Sequence, residues 1–172
     1  NVMELETKIL SKDIQQYLYD IKCTVATAES CTGGRIATAI IAVPGASDYF
    51  KGGVVSYTNE VKENLLHVSH ETLEQETAVS EAVAKQMVVG ACKTLHTDYA
   101  IAATGCAGPS GGTPDIPVGT IWLACGNADD VHTLKLEADY GRDINLAVAT
   151  NRALRLFIDY LKEKHPHEQA EN

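Results

Sequence analysis

The sequence predicts an α/β fold, a three-layer α/β/α sandwich around a mostly parallel (mixed) sheet of about five strands. Three observations predict it. Short apolar runs alternate with stretches of helical periodicity through most of the 172 residues, the pattern of successive strand–helix–strand units. A single hairpin signal near the end adds one antiparallel strand to an otherwise parallel sheet. The stretches rich in Gly, Ser and Thr follow the strands, and in sheets of this kind the ligand lies beyond the carboxyl ends of the strands.

Each element has its own signal. Residues 5–21 carry Ile9, Leu10, Ile14, Leu18 and Ile21 at the spacing of an amphipathic helix. A first strand is expected at 23–28, followed by the joint Glu29-Ser30-Cys31-Thr32-Gly33-Gly34 and a helix over 35–41. Val43-Pro44-Gly45 breaks that helix. Residues 49–57 read as a second strand, in which Gly52-Gly53 marks a bulge or a close approach of backbones. Thr58-Asn59 caps a helix over 60–67; with Asn59 as the cap, Lys62 is the third helical residue. A short polar helix or turn follows at 69–75, and Ser80 caps a longer helix from 81 to about 94 that faces Val83, Met87, Val88, Ala91, Cys92 and Leu95 inward. The apolar run 99–103 suits a buried strand and leads into the glycine-rich loop 104–114. Residues 118–125 alternate as a strand, 126–130 turn, and 131–137 form the hairpin partner. The last helix is expected over about 143–162. One domain spans 1–172, with its core at about 5–162 and a polar tail at 163–172.

Bulk composition narrows the function. The formal net charge is -9 with 14 Lys plus Arg, which speaks against nucleic acid as partner, since such proteins carry a basic patch. No apolar run approaches the ~18 residues of a membrane span, and no secretory leader is evident. The five cysteines are odd in number and form no Cys-x-x-Cys pair, which suits reduced thiols in the cytoplasm. His67 and His70, and His165 and His167, lack the context of a metal site, so no metal and no cofactor is expected.

Three joints carry chemistry. Ser30 sits where a strand meets a helix, beside backbone N–H groups that favour developing negative charge, and is a candidate nucleophile; the plainer reading makes Ser30 or Thr32 an N-cap. Lys62 in a first helical turn would feel the positive end of the helix dipole, and burial would lower its pKa further, as a general base requires; most lysines are instead solvated. The loop from Thr104 through Gly105, Gly108, Ser110, Gly111 and Gly112 matches no dinucleotide or P-loop pattern, yet its small residues let a ligand approach the main chain.

Four blocks then carry a family resemblance. Ala28-Glu29-Ser30-Cys31-Thr32-Gly33-Gly34, Ser56-Tyr57-Thr58-Asn59-Glu60-Val61-Lys62, Ala78-Val79-Ser80-Glu81 and Thr104-Gly105-Cys106-Ala107-Gly108-Pro109-Ser110-Gly111-Gly112, with Pro117-Val118-Gly119-Thr120 after them, resemble the CinA C-terminal family from about Ile9 to Leu161. That family includes stand-alone PncC-type chains and fusions to a larger N-terminal domain, whose pyrophosphatase activity is not carried over. The resemblance implies nicotinamide-nucleotide amidohydrolase activity without a metal. Ser30 matches the nucleophile, Tyr57 and Lys62 the polar pair that activates it, and Thr104 with the glycine loop the substrate-facing wall.

On this reading neutral Lys62, directly or through Tyr57, takes the Ser30 proton, and backbone N–H groups near Gly33 and Gly34 or the Thr104 hydroxyl hold the oxyanion. Phosphate candidates are the 110–112 backbone and Arg142, with Arg35 the weaker one. The chain has Gly141-Arg142-Asp143 where the family often has Gly-Asp-Arg, and Cys106 where an aliphatic residue is common. Cys31 is a rival nucleophile. The alternatives are a non-catalytic nucleotide-binding module and a serine amidase acting on another small amide. A homodimer is expected from the prevalence of twofold assemblies.

Overall fold

The computed structural model describes residues 1–166. Its elements in chain order are α1 (Val2–Ile21), β1 (Val25–Glu29), α2 (Arg35–Ile41), a 3-10 turn (Ala46–Asp48), β2 (Phe50–Val55), α3 (Asn59–Leu66), α4 (His70–Glu76), α5 (Glu81–Leu95), β3 (Tyr99–Gly105), β4 (Ile121–Gly126), β5 (Val131–Leu136) and α6 (Arg142–Lys164). The strands form one sheet in the order β2-β1-β3-β4-β5. β1 pairs in parallel with both β2 and β3, while β4 runs antiparallel to β3 and to β5. The sheet is thus mixed with one reversed strand, as the sequence predicts.

Helices cover both faces. α1, α2 and α6 pack on one face through Leu10, Ile14, Ile36, Leu154 and Phe157 against Val25, Ile101 and Leu123. α3, α4 and α5 cover the other through Leu66, Leu73, Val83 and Met87 against Ala26, Ala28, Ala100, Ala102 and Ala124. The chain steps from β1 through α2 to β2 on one side, then through α3–α5 to β3 on the other. β1 is therefore the point where the winding reverses, and its carboxyl end opens a crevice between the two connections.

The differences from the sequence reading lie at element ends. α1 starts at Val2 rather than residue 5, because Asn1 Oδ1 accepts the Glu4 N–H and Glu4 reaches back to the Asn1 amine, a capping box. Its buried face runs through Leu10, Ile14 and Leu18, whereas Ile9, predicted inward, is 51% exposed. β1 begins at Val25, two residues late, since Thr24 is tied by backbone and side chain to Asp98. The region 69–75, read as helix or turn, is the helix α4, capped by Ser69. Residues 118–120, predicted as strand, are loop: Gly119 has φ +98° and Thr120 N–H turns back to the Pro117 carbonyl. β4 shows little of the predicted alternation because helices lie over both of its faces. α6 runs on to Lys164, so the tail predicted from 163 begins as helix, and residues 167–172 lie outside the described residues. No described helix is long and apolar enough to cross a membrane.

Two glycines permit close approaches. The predicted bulge at Gly52-Gly53 is present as a register shift of β2 against Val25 and Ala26, and a Cβ on Gly53 would stand 2.1 Å from Thr27 Oγ1. α5 crosses α3 so closely that a Cβ on Gly90 would stand 1.6 Å from the Leu66 carbonyl oxygen. Gly90→Ala is therefore expected to push α3 away from α5, at a cost of about 3 kcal/mol. In thermal unfolding this appears as a Tm lowered by about 6–12 °C, and an unchanged Tm would show that the helices separate freely.

Candidate active site

The carboxyl ends of β1, β2 and β3 are stitched together. Ser30 N–H donates to the Ala103 carbonyl at 2.9 Å, and Ser56 N–H to the Glu29 carbonyl at 2.7 Å. Ser30 thus leaves β1 with its backbone fixed from the β3 side, and its side chain is 7% exposed.

Lys62 reaches this point from α3. Thr58 is the N-cap, accepting from Val61 N–H, so Lys62 is the fourth helical residue rather than the third that an Asn59 cap would give. Its side chain is 1% exposed. Lys62 Nζ lies 2.9 Å from Ser30 Oγ and 2.8 Å from the Ser56 carbonyl oxygen. Removal from water lowers the Lys62 pKa below its ordinary value, since burial disfavours the ammonium form. The helix dipole, expected from the sequence to share in this shift, is not its main cause, which is burial.

Cys31 sits beside Ser30 but behaves differently. Burial pushes its thiol up to about 12, so it stays protonated and is a poor nucleophile. Glu29, on the other side, is 1% exposed and receives the Thr32 hydroxyl at 2.8 Å, Ile36 N–H at 2.8 Å and Ala37 N–H at 3.0 Å. The first turn of α2 is therefore closed by a carboxylate. Sequence reasoning left this residue without a role; its signal was an acidic residue seven positions ahead of Ile36, too distant for any capping pattern.

A cavity of about 180 Å³ opens over Ser30. Among the predicted site residues, Ser30, Tyr57, Lys62, Thr104, Gly105 and Arg142 line it. Gly33, Gly34, Gly108, Ser110, Gly111 and Gly112 do not. Gly33 N–H is spent on the Ser30 carbonyl at 3.1 Å, and residues 110–112 are exposed on the outer part of the loop. The Thr104 hydroxyl is also engaged, donating to the Ala78 carbonyl at 2.8 Å. Tyr57 stands at the rim, 62% exposed, and its hydroxyl bonds to nothing among the described residues. Arg35 turns back to the Thr32 carbonyl.

Two residues of α6 complete the wall. Arg142 Nη1 donates to the Gly108 carbonyl at 2.7 Å. Asn145, 3% exposed, donates to the Ala107 carbonyl at 3.1 Å and to Asp139 at 2.9 Å, and accepts from Tyr140 N–H at 2.8 Å. The sequence reading passed over Asn145, although its spacing to Ala149 and Ala153 placed it on the inward face of the last helix.

The geometry supports a comparison with known proteins. The model of the CinA C-terminal domain family matches residues 7–161. The Escherichia coli K12 protein named nicotinamide-nucleotide amidohydrolase PncC is 43% identical over 147 residues, covering 85% of this chain and 89% of that protein. A longer relative from Halothermothrix orenii, described as competence-damage inducible, is 42% identical over 154 residues, which are 89% of this chain and 37% of the relative. The chain thus spans about a third of the longer relative and most of the shorter one. The crystal structure of a competence/damage inducible protein from Agrobacterium tumefaciens superposes with a TM-score of 0.87 at 36% identity, covering 90% of this chain and 94% of that one. With the domain model matched almost from end to end and the fold shared with a solved relative, the chain belongs to the CinA C-terminal domain family.

Proposed function

We propose that the protein is a nicotinamide-nucleotide amidohydrolase, converting nicotinamide mononucleotide and water to nicotinic acid mononucleotide and ammonia at Ser30. The observation that carries this reading is the buried Lys62 amine 2.9 Å from the Ser30 hydroxyl. The printed activity of the PncC relative, which this chain matches over most of both lengths, supplies the substrate class.

The chemistry follows from the geometry. Neutral Lys62 accepts the Ser30 proton as Oγ bonds to the carboxamide carbon, and the C=O electron pair moves onto oxygen. Collapse of the tetrahedral intermediate breaks the C–N bond, and the leaving nitrogen takes the proton back from Lys62 to depart as ammonia. A water then attacks the acyl-enzyme, gives a proton to Lys62, and releases the carboxylic acid with Ser30 restored. The Ser56 carbonyl holds the amine in place through the cycle. Direct contact between Nζ and Oγ leaves no gap for a relay, so Tyr57 acts by orienting the substrate at the rim. Arg142, whose guanidinium lines the cavity, takes the phosphate. The same reading places the protein in the cytoplasm as a homodimer: the five cysteines are free, as a reducing compartment favours, and twofold closure is the commonest assembly.

Ammonia release from nicotinamide mononucleotide in chelating buffer tests the reading. Wild type is expected to turn over, Lys62→Ala to lose about 10²–10⁴-fold and Ser30→Ala more. A silent wild type that the nucleotide still stabilises against heat would mark a binding module. An active Ser30→Ala would overturn the nucleophile.

The pH dependence has a fixed sign. Lys62 works as the neutral amine, so kcat/KM rises with pH along a limb whose apparent pKa lies below the ordinary 10.5. Between that lowered pKa and 10.5 the unfolded chain keeps a proton that the folded one has lost, so the Lys62 contribution to stability also rises with pH. Stopped-time assays across the alkaline range check the limb, and a rate that falls as pH rises through it would remove Lys62 as the base.

A further inference from the structure

Two of the oxyanion donors predicted from sequence are otherwise engaged. Gly33 N–H is bonded to the Ser30 carbonyl and the Thr104 hydroxyl to the Ala78 carbonyl. Yet the same bonds show which N–H groups are turned free. In a trans peptide the C=O and the next N–H point in opposite directions. The Ser30 carbonyl is held by Gly33 N–H, so the Cys31 N–H of that peptide is turned away from Gly33. The Cys106 carbonyl is held by Gly119 N–H at 2.8 Å, so the Ala107 N–H of that peptide is turned away from Gly119.

Both residues line the Ser30 cavity, and both are nearly buried, Cys31 at 6% and Ala107 at 4% exposure. Ala107 N–H has no acceptor among the described residues, and Cys31 N–H meets only its own sulfur. Buried N–H groups without an acceptor are rare, because each loses its hydrogen bond to water on folding. Here two of them belong to residues that line one small cavity, one directly following the nucleophile.

We propose that the Cys31 and Ala107 N–H groups form the oxyanion hole, with Asn145 as the positioning residue that sets the Ala107 donor. The inference rests on Ser30 being the nucleophile. When Ser30 Oγ bonds to the amide carbon, the electron pair displaced from the C=O bond settles on oxygen between these two donors. Asn145 fixes the loop by drawing the Ala107 carbonyl toward α6, and Gly119 fixes it from the other side. Gly119 suits this place: its φ is +98°, and a Cβ there would stand 2.6 Å from the Ala138 carbonyl oxygen.

The test uses Ala107→Pro, which deletes one N–H, beside Asn145→Ala. Two readouts run in parallel: kcat and KM for ammonia release from nicotinamide mononucleotide, and boron NMR of a pyridine boronic acid, which forms a tetrahedral adduct on an activated serine. Ala107→Pro is expected to lower kcat by about 100-fold or more with KM unchanged, and to weaken the boronate adduct comparably. Asn145→Ala is expected to lower kcat less, leaving KM and the alkaline pH limb in place, whereas a purely structural role would lower Tm and spare kcat. A folded Ala107→Pro with unchanged kcat and boronate affinity would overturn the hole, as would the absence of any adduct in wild type. Should Ala107→Pro fail to fold, an Asn145→Ala variant with wild-type kcat overturns the proposal alone. A wild-type adduct that Ala107→Pro weakens, without ammonia release, supports the hole and rejects the nucleotide as substrate.

Discussion

The contact between Lys62 Nζ and Ser30 Oγ is the interaction on which the site depends. An amine removed from water is stable there only as the neutral form or with acceptors around it. The fold meets that condition with the Ser56 carbonyl and the Ser30 hydroxyl, both supplied by strand ends. Holding those two oxygens within reach of one amine requires β1 and β2 in parallel register and α3 starting three residues before Lys62. The stitched ends of β1, β2 and β3, the Thr58 cap and the close crossing of α3 with α5 at Gly90 all serve that placement.

Glu29 explains why the start of α2 is a poor anion site although its sequence suggests one. A helix amino end attracts negative charge, and here the chain supplies it internally. The carboxylate takes up two of the N–H groups that a substrate could have used and also the Thr32 hydroxyl. These bonds pin the turn from Ser30 to Gly34, as the proposed role of Ser30 requires. Negative charge arising on a substrate must be met by donors other than the Ile36 and Ala37 N–H groups.

The loop after β3 is anchored to α6 rather than to the sheet alone. Arg142 and Asn145 hold two consecutive carbonyls, Gly108 and Ala107, from the first turn of one helix. α6 in turn is packed along α1 and the sheet through Leu154 and Phe157. Glycine content therefore does not make the whole loop pliant: residues 107 and 108 are buried and bonded, while 109–115 are exposed.

Sequence alone determined the layers of this protein, because periodicity and strand length report directly on which residues need burial. It also placed Ser30, the segment from Tyr57 to Lys62 and the loop from Thr104 on one rim, since each follows a stretch that reads as a strand. Tertiary structure decided what those residues meet. That Lys62 touches Ser30 directly, that Gly33 spends its N–H on the Ser30 carbonyl, and that 110–112 lie outside the cavity depend on distances across the sheet. Hydrogen bonds between segments 32 residues apart, as for Ser30 and Lys62, or 38 apart, as for Ala107 and Asn145, leave no periodic trace in a sequence. Only the folded chain fixes where a buried donor finds its acceptor.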